Sequence, residues 1–194
     1  MSLYNSNYLK SLYRQNLNTI NENARTKMFS TSTTSMFDIF LSHSYLDKEE
    51  VWGLYFDLKR KGYNVYVDWI VDPHLDRSNV TKESAQLVKT RMKNSKSLLL
   101  AVSYNASVSK WMPWELGFVD GNTDKCAIVP VSEGDVNRAS FKGVEYLALY
   151  PFVTKDSLLG TENLIIVESP STYVSMYDWI KSNAKPTFKS RSIF

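Results

Sequence analysis

The sequence predicts an α/β domain whose central sheet is mostly parallel and is covered by helices on both faces. From residue 36 onward, short β-rich runs alternate with segments of helical periodicity, which is the pattern of repeated β-α-β units. Residues 97–102 are nearly all apolar, as expected for a strand buried on both faces. The chain has 194 residues, 43% hydrophobic and 22% charged, which fits one globular domain with appendages.

The strands and helices can be placed in order along the chain. Strands are predicted at residues 37–41, 63–67, 97–102, 126–131 and 144–149. The first helix carries Val51 and Leu58 on one face and ends near Gly62, a residue suited to the C-terminal cap of a helix. A second helical period runs over 80–92, and a third helix begins near Pro113.

The N-terminal arm, residues 1–35, differs in composition from the rest of the chain. The spacing of Leu9, Leu12 and Leu17 predicts one amphipathic helix over about residues 5–25, and the Ser/Thr tract at 30–35 resembles a flexible linker. Two interpretations of the helix remain equal at this point. It either packs on its own domain or serves as an arm for assembly or partner binding.

The C-terminal extension, residues 151–194, follows a central domain over 36–150. It contains a strand candidate at 163–168 and a helix candidate at about 170–182, and we expect it to pack on the central domain.

Composition excludes several classes of function. The net charge is +3 and the basic residues are scattered among acids, which argues against a nucleic-acid partner. One cysteine, Cys126, rules out a disulfide within the chain, and two histidines make a zinc site improbable. No apolar run approaches the roughly 20 residues of a membrane helix, and no signal peptide is visible, so we expect a cytoplasmic protein without a membrane partner.

Polar and aromatic side chains gather where the predicted strands end. In open parallel sheets, ligands bind outside the carboxyl ends of the strands. The residues at these ends are Ser42, His43, Ser44, Tyr45 and Asp47, then Asp68 and Trp69, then Ser103, Tyr104 and Asn105, which lead to Trp111 and Glu115, and finally 132–135. Aromatic rings can stack on a base and hydroxyls can bond a ribose, so this edge suits a nucleotide.

Two segments in this arrangement resemble the TIR (Toll/interleukin-1 receptor) domain family. Residues 37–43, Phe-Asp-Ile-Phe-Leu-Ser-His, resemble its first conserved box, and residues 109–116, Ser-Lys-Trp-Met-Pro-Trp-Glu-Leu, resemble its Trp-x-x-x-Glu-Leu segment. The resemblance covers about residues 36–150. Its form is closest to the bacterial NAD-cleaving type, similar to the TIR protein of Thoeris antiphage systems.

The resemblance implies a flavodoxin-like three-layer sandwich with a central five-stranded sheet, and it implies roles for individual residues. Glu115 would be the catalytic residue for NAD+ cleavage. The expected substrate contacts are Ser42, His43, Ser44, Tyr45, Asp68, Trp69 and Trp111. The loop over about 68–79 would close over the site and contact neighbouring protomers. This loop departs from the Arg-Pro-Gly-Asp-like form of many members, since residues 72–78 read Asp-Pro-His-Leu-Asp-Arg-Ser, and the difference bears on assembly geometry more than on chemistry.

A single glutamate is chemically sufficient for this reaction. Nicotinamide leaves NAD+ as a neutral molecule, so no general acid is needed, and one anion beside the ribose can stabilise the oxocarbenium-like ribosyl cation. We expect Pro113 and Glu115 to lie in the first helical turn, where the helix dipole favours a carboxylate by about 0.3–1 kcal/mol. We also expect the carboxyl group of Glu115 to face a cleft.

Each site residue also has a purely structural interpretation. Glu115 could simply complement the helix dipole, Trp111 or Trp114 could be a core aromatic, and His43 is more typical of a structural residue than of an acid/base. Asp47 and Glu50 would cap a helix.

The expected function is that of an NAD+ nucleosidase or ADP-ribosyl cyclase, with nicotinamide and either ADP-ribose or a cyclic ADP-ribose-type signal as products. NAD+ is the substrate, and neither a separate cofactor nor a metal is expected. Self-association through TIR domains and a separate effector protein that responds to the product are the implied partners. Two alternatives stay open: a non-enzymatic TIR-TIR interaction module, and a nucleoside deoxyribosyltransferase-like enzyme, whose fold is related.

Overall fold

The computed structural model describes residues 3–26, 32–75, 81–103, 106, 109–133, 145–156, 163–169 and 171–188. The strands in these ranges are β1 (Tyr4–Asn5), β2 (Phe37–Ser42), β3 (Val65–Tyr66), β4 (Ser95–Val102), β5 (Cys126–Ser132), β6 (Phe152–Asp156), β7 (Asn163–Ser169), β8 (Thr172–Ser175) and β9 (Thr187–Phe188). The helices are α1 (Ser6–Gln15), α2 (Leu17–Thr26), α3 (Lys48–Arg60), α4 (Asp68–Val71), α5 (Lys82–Lys93), α6 (Trp111–Thr123) and α7 (Met176–Lys181). Single 3-10 turns lie at Tyr45–Asp47 and Glu145–Leu149.

The centre of the sheet is parallel and has the order β3-β2-β4-β5-β6. This is the flavodoxin-like order, so the predicted α/β class with a mostly parallel sheet is confirmed. The sheet then continues through β7, β8 and β9, which are antiparallel to their neighbours.

The fifth parallel strand lies later in the chain than predicted. Residues 145–149 form a 3-10 turn, and the parallel partner of β5 is β6, with Phe152 opposite Ile128. Leu147 reaches the core, whereas Leu149 is 81% exposed, so this segment lacks the apolar face of a strand. Val144 lies outside the described residues.

Two hydrophobic layers cover the sheet because successive strand residues point to opposite faces. Along β4, Leu99 packs with α1, α3 and α7, whereas Leu98 and Leu100 pack with α5 and α6. Helix α3 ends as predicted, with Gly62 at φ +86° after the last turn. Cys126 is buried beneath α6, and burial raises the pKa of its thiol, as expected of an inert cysteine.

The N-terminal arm packs on its own domain. The predicted single helix is wrong, because Asn16 ends α1 and its side-chain amide donates to the carbonyl of Leu12 at 2.7 Å. Helix α1 crosses α3 at Gly53, where an added Cβ would lie 2.1 Å from the carbonyl oxygen of Leu9. Strand β1 adds to β5 in parallel, with Tyr4 opposite Val131.

The Ser/Thr tract at the end of the arm is held by hydrogen bonds where it is described. The carbonyl of Ser32 accepts a hydrogen bond from Arg91 Nη1 at 2.6 Å, and that of Thr33 accepts one from Asn94 Nδ2 at 2.7 Å. The expected flexible linker is therefore wrong for these two residues, whereas residues 30 and 31 lie outside the described part.

The C-terminal segment belongs to the same sheet, which continues past residue 150 through β6 and its antiparallel neighbours. The strand predicted at 163–168 is β7. The helix predicted at about 170–182 is wrong in its first half, which is β8. Helix α7 begins only after Ser175, whose side chain accepts from the amide of Asp178.

Asp38, near the amino end of β2, ties α7 to this strand. Asp38 accepts hydrogen bonds from Lys181 at 2.5 Å, from Lys96 at 3.1 Å and from the amide of Asn64 at 2.9 Å. Burial alone would raise the pKa of Asp38, but these three donors outweigh it and lower that pKa below its ordinary value.

No helix in the described part of the chain is long and apolar enough to cross a bilayer.

The close crossing of α1 and α3 can be tested by substitution of its glycine. Gly53→Ala should lower the free energy of unfolding by about 1–3 kcal/mol, because the added methyl group meets backbone that cannot yield without moving α1. Gly121→Ala, in α6, is the matched control: nothing lies within 4 Å of its added Cβ, and it should raise stability by up to about 1 kcal/mol. Urea unfolding measures both; equal effects would contradict the observed helix crossing.

Candidate active site

The carboxyl group of Glu115 is held at the end of β2. Ser42, the last residue of β2, donates from Oγ to Glu115 Oε2 at 2.6 Å, and both side chains are 0% exposed. Ser42 faces α6 because Phe40, two residues earlier, packs on the same side. The strand register, in which Ser42 lies opposite Leu100, fixes this orientation.

Two expectations about Glu115 are wrong in this structure. Helix α6 begins at Trp111, so Glu115 is its fifth residue and lies beyond the first turn, where the helix dipole acts most strongly. Pro113 misled the prediction because proline is tolerated anywhere among the first residues, whose amides have no partner within the helix. Glu115 is also fully buried, so its carboxyl group points into the interior and not into a cleft.

Hydrogen bonds on both ring nitrogens of His43 define its tautomer. The indole of Trp69 can only donate, so its 2.7 Å bond to His43 Nε2 makes that nitrogen an acceptor. The proton therefore resides on Nδ1, which donates to the carbonyl of Leu41 at 2.9 Å. Asp68 Oδ1 lies 3.5 Å from Nε2, a contact that becomes an ion pair only if the ring is protonated. These bonds fix the orientation of the His43 and Trp69 rings, and their predicted contact with substrate stays a prediction.

Trp69 also belongs to an aromatic cluster with Trp52 of α3. Its ring centre lies 5.3 Å from that of Trp52 in an edge-to-face arrangement, and the ammonium of Lys48 lies 5.7 Å above it. This packing fixes α4 and keeps the indole directed at His43.

The turn after β2 places Ser44 and Tyr45 differently. Ser44 is buried and caps the 3-10 turn by accepting from the amide of Leu46 at 3.4 Å, whereas Tyr45 is 62% exposed. The predicted capping role of Asp47 is wrong: its buried carboxylate makes no cap bond to α3 and accepts instead from Ser103 Oγ. That bond joins the carboxyl ends of β2 and β4.

Glu50 does not cap a helix either, because it faces the N-terminal arm. Its Oε1 accepts from Ser6 Oγ at 2.8 Å and pairs with the ammonium of Lys10 at 3.0 Å. The hydrogen bond with Glu50 raises the pKa of Lys10.

Trp111 and Trp114 lie together on the outer side of α6. Their ring centres are 5.4 Å apart at 71°, and both are partly exposed. With Lys89 and Lys110 they line an open, mostly apolar groove of about 430 Å³. Trp111 thus lies partly exposed at this groove, whereas Glu115, one helical turn later in α6, is fully buried.

A buried arginine, which the sequence did not single out as a site residue, anchors the start of the 68–79 loop. Arg91 donates to both carboxylate oxygens of Asp72, at 2.7 and 2.8 Å, and Tyr66 donates to the same group at 3.0 Å. The hydrogen bond with Asp72 raises the pKa of Arg91 despite burial. The remainder of this loop, residues 76–79, lies outside the described residues, as do Tyr104, Asn105, Gly134 and Asp135.

A polar cleft of about 270 Å³ opens at the carboxyl ends of β2, β4 and β5. The side chains that give it its chemistry are Ser6, Lys10, Asp47, Glu50, Ser103 and Glu133. Sequence reasoning missed Ser6 and Lys10 because their place at this edge depends on how α1 docks, which no local pattern reveals.

Comparisons with known proteins find relatives of this chain. Over 150 residues, 76% of the chain, it is 45% identical to a protein of Bacillus cereus (strain MSX-D12) named a probable 3′ cyclic ADP-D-ribose synthase, ThsB′; the match covers 77% of that protein. It is 27% identical over 110 residues, 55% of the chain, to a provisionally named cyclic ADP-D-ribose synthase, TIR2, of Cytobacillus dafuensis, of which 29% is covered.

Among solved structures, the TIR domain of the Toll-related receptor TRR-2 from Hydra magnipapillata aligns with a TM-score of 0.39 and 20% identity, over 55% of this chain and 78% of that one. No family model matches the chain.

The chain is thus a TIR-type α/β protein with a glutamate held at the carboxyl edge of its sheet. Within that class it belongs to the bacterial Thoeris-like TIR family that includes ThsB′.

The contribution of the Ser42–Glu115 hydrogen bond to stability can be compared with that of another fully buried serine hydrogen bond. Ser42→Ala should lower the free energy of unfolding by about 1.5–3 kcal/mol, because a buried carboxylate loses a donor. The control is Ser97→Ala. The hydroxyl of Ser97 is equally buried and donates to the neutral backbone carbonyl of Asp38 at 2.8 Å, so its loss should lower the free energy of unfolding by only about 0.5–1.5 kcal/mol. Denaturant unfolding gives both values, and a Ser42→Ala protein as stable as wild type would show that this bond does not hold the carboxylate.

Proposed function

We propose that this chain cleaves the bond between nicotinamide and ribose in NAD+ and joins the remaining ADP-ribose into a cyclic signal used in antiphage defence. The observation that carries the proposal is the Ser42–Glu115 pair at the carboxyl edge of the sheet. The 45% identity to a protein named as a cyclic ADP-ribose synthase supports the same substrate and product class.

The chemistry requires little from the protein besides one well-placed anion. The bond between C1′ and the nicotinamide nitrogen breaks, and its electron pair neutralises the pyridinium ring, which leaves uncharged. Glu115 would stabilise the positive charge that develops on the ribose by contact with its hydroxyls. A nucleophile of the adenosine half then bonds to C1′ and gives the cyclic product, whereas water in its place gives linear ADP-ribose, the product of a hydrolase. Where the nucleophile is a hydroxyl group or water, its proton passes to the solvent.

Access is the main physical requirement that the fold places on this mechanism. Glu115 is 0% exposed, so a ribose can reach its carboxyl group only after the edge of the sheet opens. Substrate binding must supply the free energy of that opening, or self-association of TIR domains must stabilise the open form. We favour self-association, which is the arrangement that the family suggests.

Full burial of Glu115 is also the observation that favours a second candidate function, a non-enzymatic TIR-TIR interaction module. In that case Glu115 serves only to join β2 to α6, and the groove beside Trp111 and Trp114 contributes a contact surface. Nicotinamide release from NAD+ by the purified protein distinguishes the two functions, because only the enzyme releases nicotinamide.

Removal of the carboxylate should abolish turnover. Glu115→Gln keeps the size of the side chain and is expected to lower nicotinamide release from NAD+ by at least about 10²-fold, the typical loss of one electrostatic stabiliser. The control Glu168→Gln removes an exposed carboxylate on β7 and should leave the rate unchanged. Chromatography of nicotinamide and of the cyclic or linear product provides the measurement. A Glu115→Gln enzyme with the wild-type rate would reject the assignment.

Self-association should make the specific activity depend on protein concentration. If an assembled form opens the site, the rate per molecule rises with concentration and falls on dilution. The mass distribution from light scattering should change over the same range. A constant specific activity from a protein that stays monomeric throughout would remove assembly from the proposal.

A further inference from the structure

A single guanidinium group joins three segments of the chain. Arg91 of α5 is fully buried and donates to both carboxylate oxygens of Asp72, the residue that follows α4. Its Nη1 also donates to the carbonyl of Ser32, in the tract that leads into β2. The guanidinium carbon lies 5.9 Å from the ring centre of Phe37 and 5.9 Å from that of Tyr66. The position of one side chain is therefore shared by α5, the end of α4 and the start of β2.

Asp72 determines how α4 ends. This helix has only four residues, Asp68–Val71, and a helix of that length is not stable by itself. The amide of Asp72 donates to the carbonyl of Asp68 at 2.6 Å, and the carbonyl of Asp72 accepts from the amide of Leu75 at 2.9 Å. The carboxylate that Arg91 holds thus belongs to the residue that closes α4 and begins the next turn.

The other end of α4 contacts the candidate active site. Trp69 donates to His43 Nε2 at 2.7 Å, and Asp68 Oδ1 lies 3.5 Å from the same nitrogen. His43 directly follows Ser42, whose hydroxyl donates to Glu115. A movement of α4 would change the hydrogen bond on His43 and, through the backbone, the end of β2 at which the carboxylate of Glu115 is held.

The geometry at Asp72 requires an arginine. A planar guanidinium donates two bonds to one carboxylate and keeps a further donor for the carbonyl of Ser32, whereas a lysine ammonium binds as a point charge. An ion pair buried this deeply adds little net stability, because desolvation of the two charges offsets their attraction. Its directed bonds instead fix a position, and the position that they fix is that of α4.

We propose that Arg91 is a positioning residue for the cleavage of NAD+, which acts through α4 to hold Trp69 against His43. Its effect on turnover passes from α4 to the end of β2 and so to the carboxylate of Glu115. The proposal rests on the proposed function, because it names a buried residue on which the placement of the catalytic carboxylate depends.

The kinetic test compares Arg91→Lys with Lys181→Met, which breaks the ion pair with Asp38 at the amino end of β2. Both variants are assayed with NAD+ under conditions in which urea unfolding curves show them to be folded. Arg91→Lys should lower kcat by about 10- to 100-fold with KM within about twofold, because the carboxylate is displaced from the geometry that the transition state needs. Lys181→Met should leave both constants unchanged.

A spectroscopic test reports the positioning without any turnover. The indole N–H resonance of Trp69 in heteronuclear NMR spectra, assigned with Trp69→Phe, depends on its bond to His43. This resonance should shift in Arg91→Lys and stay in place in Lys181→Met. Tyr66→Phe removes one donor to the same carboxylate and keeps the ion pair, so it should shift the resonance by less; it also provides the test if Arg91→Lys does not fold.

Two results would overturn the proposal. One is a wild-type indole resonance and a wild-type kcat in both Arg91→Lys and Tyr66→Phe. The other is an equal loss of kcat in Arg91→Lys and Lys181→Met, which would mean that any loss of stability has the same effect. Absent NAD+ turnover in the wild type would instead reject the proposed function, and a shifted resonance in Arg91→Lys would still show that Arg91 positions Trp69.

Discussion

The hydrogen bond from Ser42 to Glu115 is the interaction on which the arrangement of the site depends. It joins the last residue of a central strand to the helix on one face of the sheet, with both side chains fully buried. A buried carboxyl group without such a donor would be costly, so the bond both stabilises the fold and positions the carboxylate. A one-residue shift of β2 would direct Ser42 to the opposite face, and parallel pairing on both sides of β2 prevents that shift.

The segments at both ends of the chain pack on the sheet that carries this bond. The N-terminal arm packs on α3, where the hydroxyls of Tyr4 and Tyr8 donate to Asp57. Its strand β1 pairs in parallel with the carboxyl end of β5. At the amino end of the sheet, Asp38 of β2 accepts a hydrogen bond from Lys181 and so ties α7 to the central strands. Since both segments are part of one sheet and one core, truncation of either would disturb the site as well as the surface.

The parallel sheet could be predicted from the sequence because strands buried on both faces, such as β4, appear as continuous apolar runs. The fifth strand could not be placed, since residues 145–149 and β6 are both short and partly apolar, and only tertiary pairing with β5 separates them. The motif glutamate and its serine could be selected as candidates. Their contact could not, because Ser42 and Glu115 are 73 residues apart and meet only through the crossover of α6. The same applies to Ser6 and Lys10, whose role depends on the docking of α1.

The structure of the Glu115→Gln protein with NAD+ bound tests the account most directly. We predict that the side chain of residue 115 lies within hydrogen-bond distance of the hydroxyls on the nicotinamide ribose, and that the site has opened relative to the buried arrangement described above. A bound dinucleotide that leaves this side chain enclosed beside Ser42, with its reactive ribose elsewhere on the protein, would contradict the central claim.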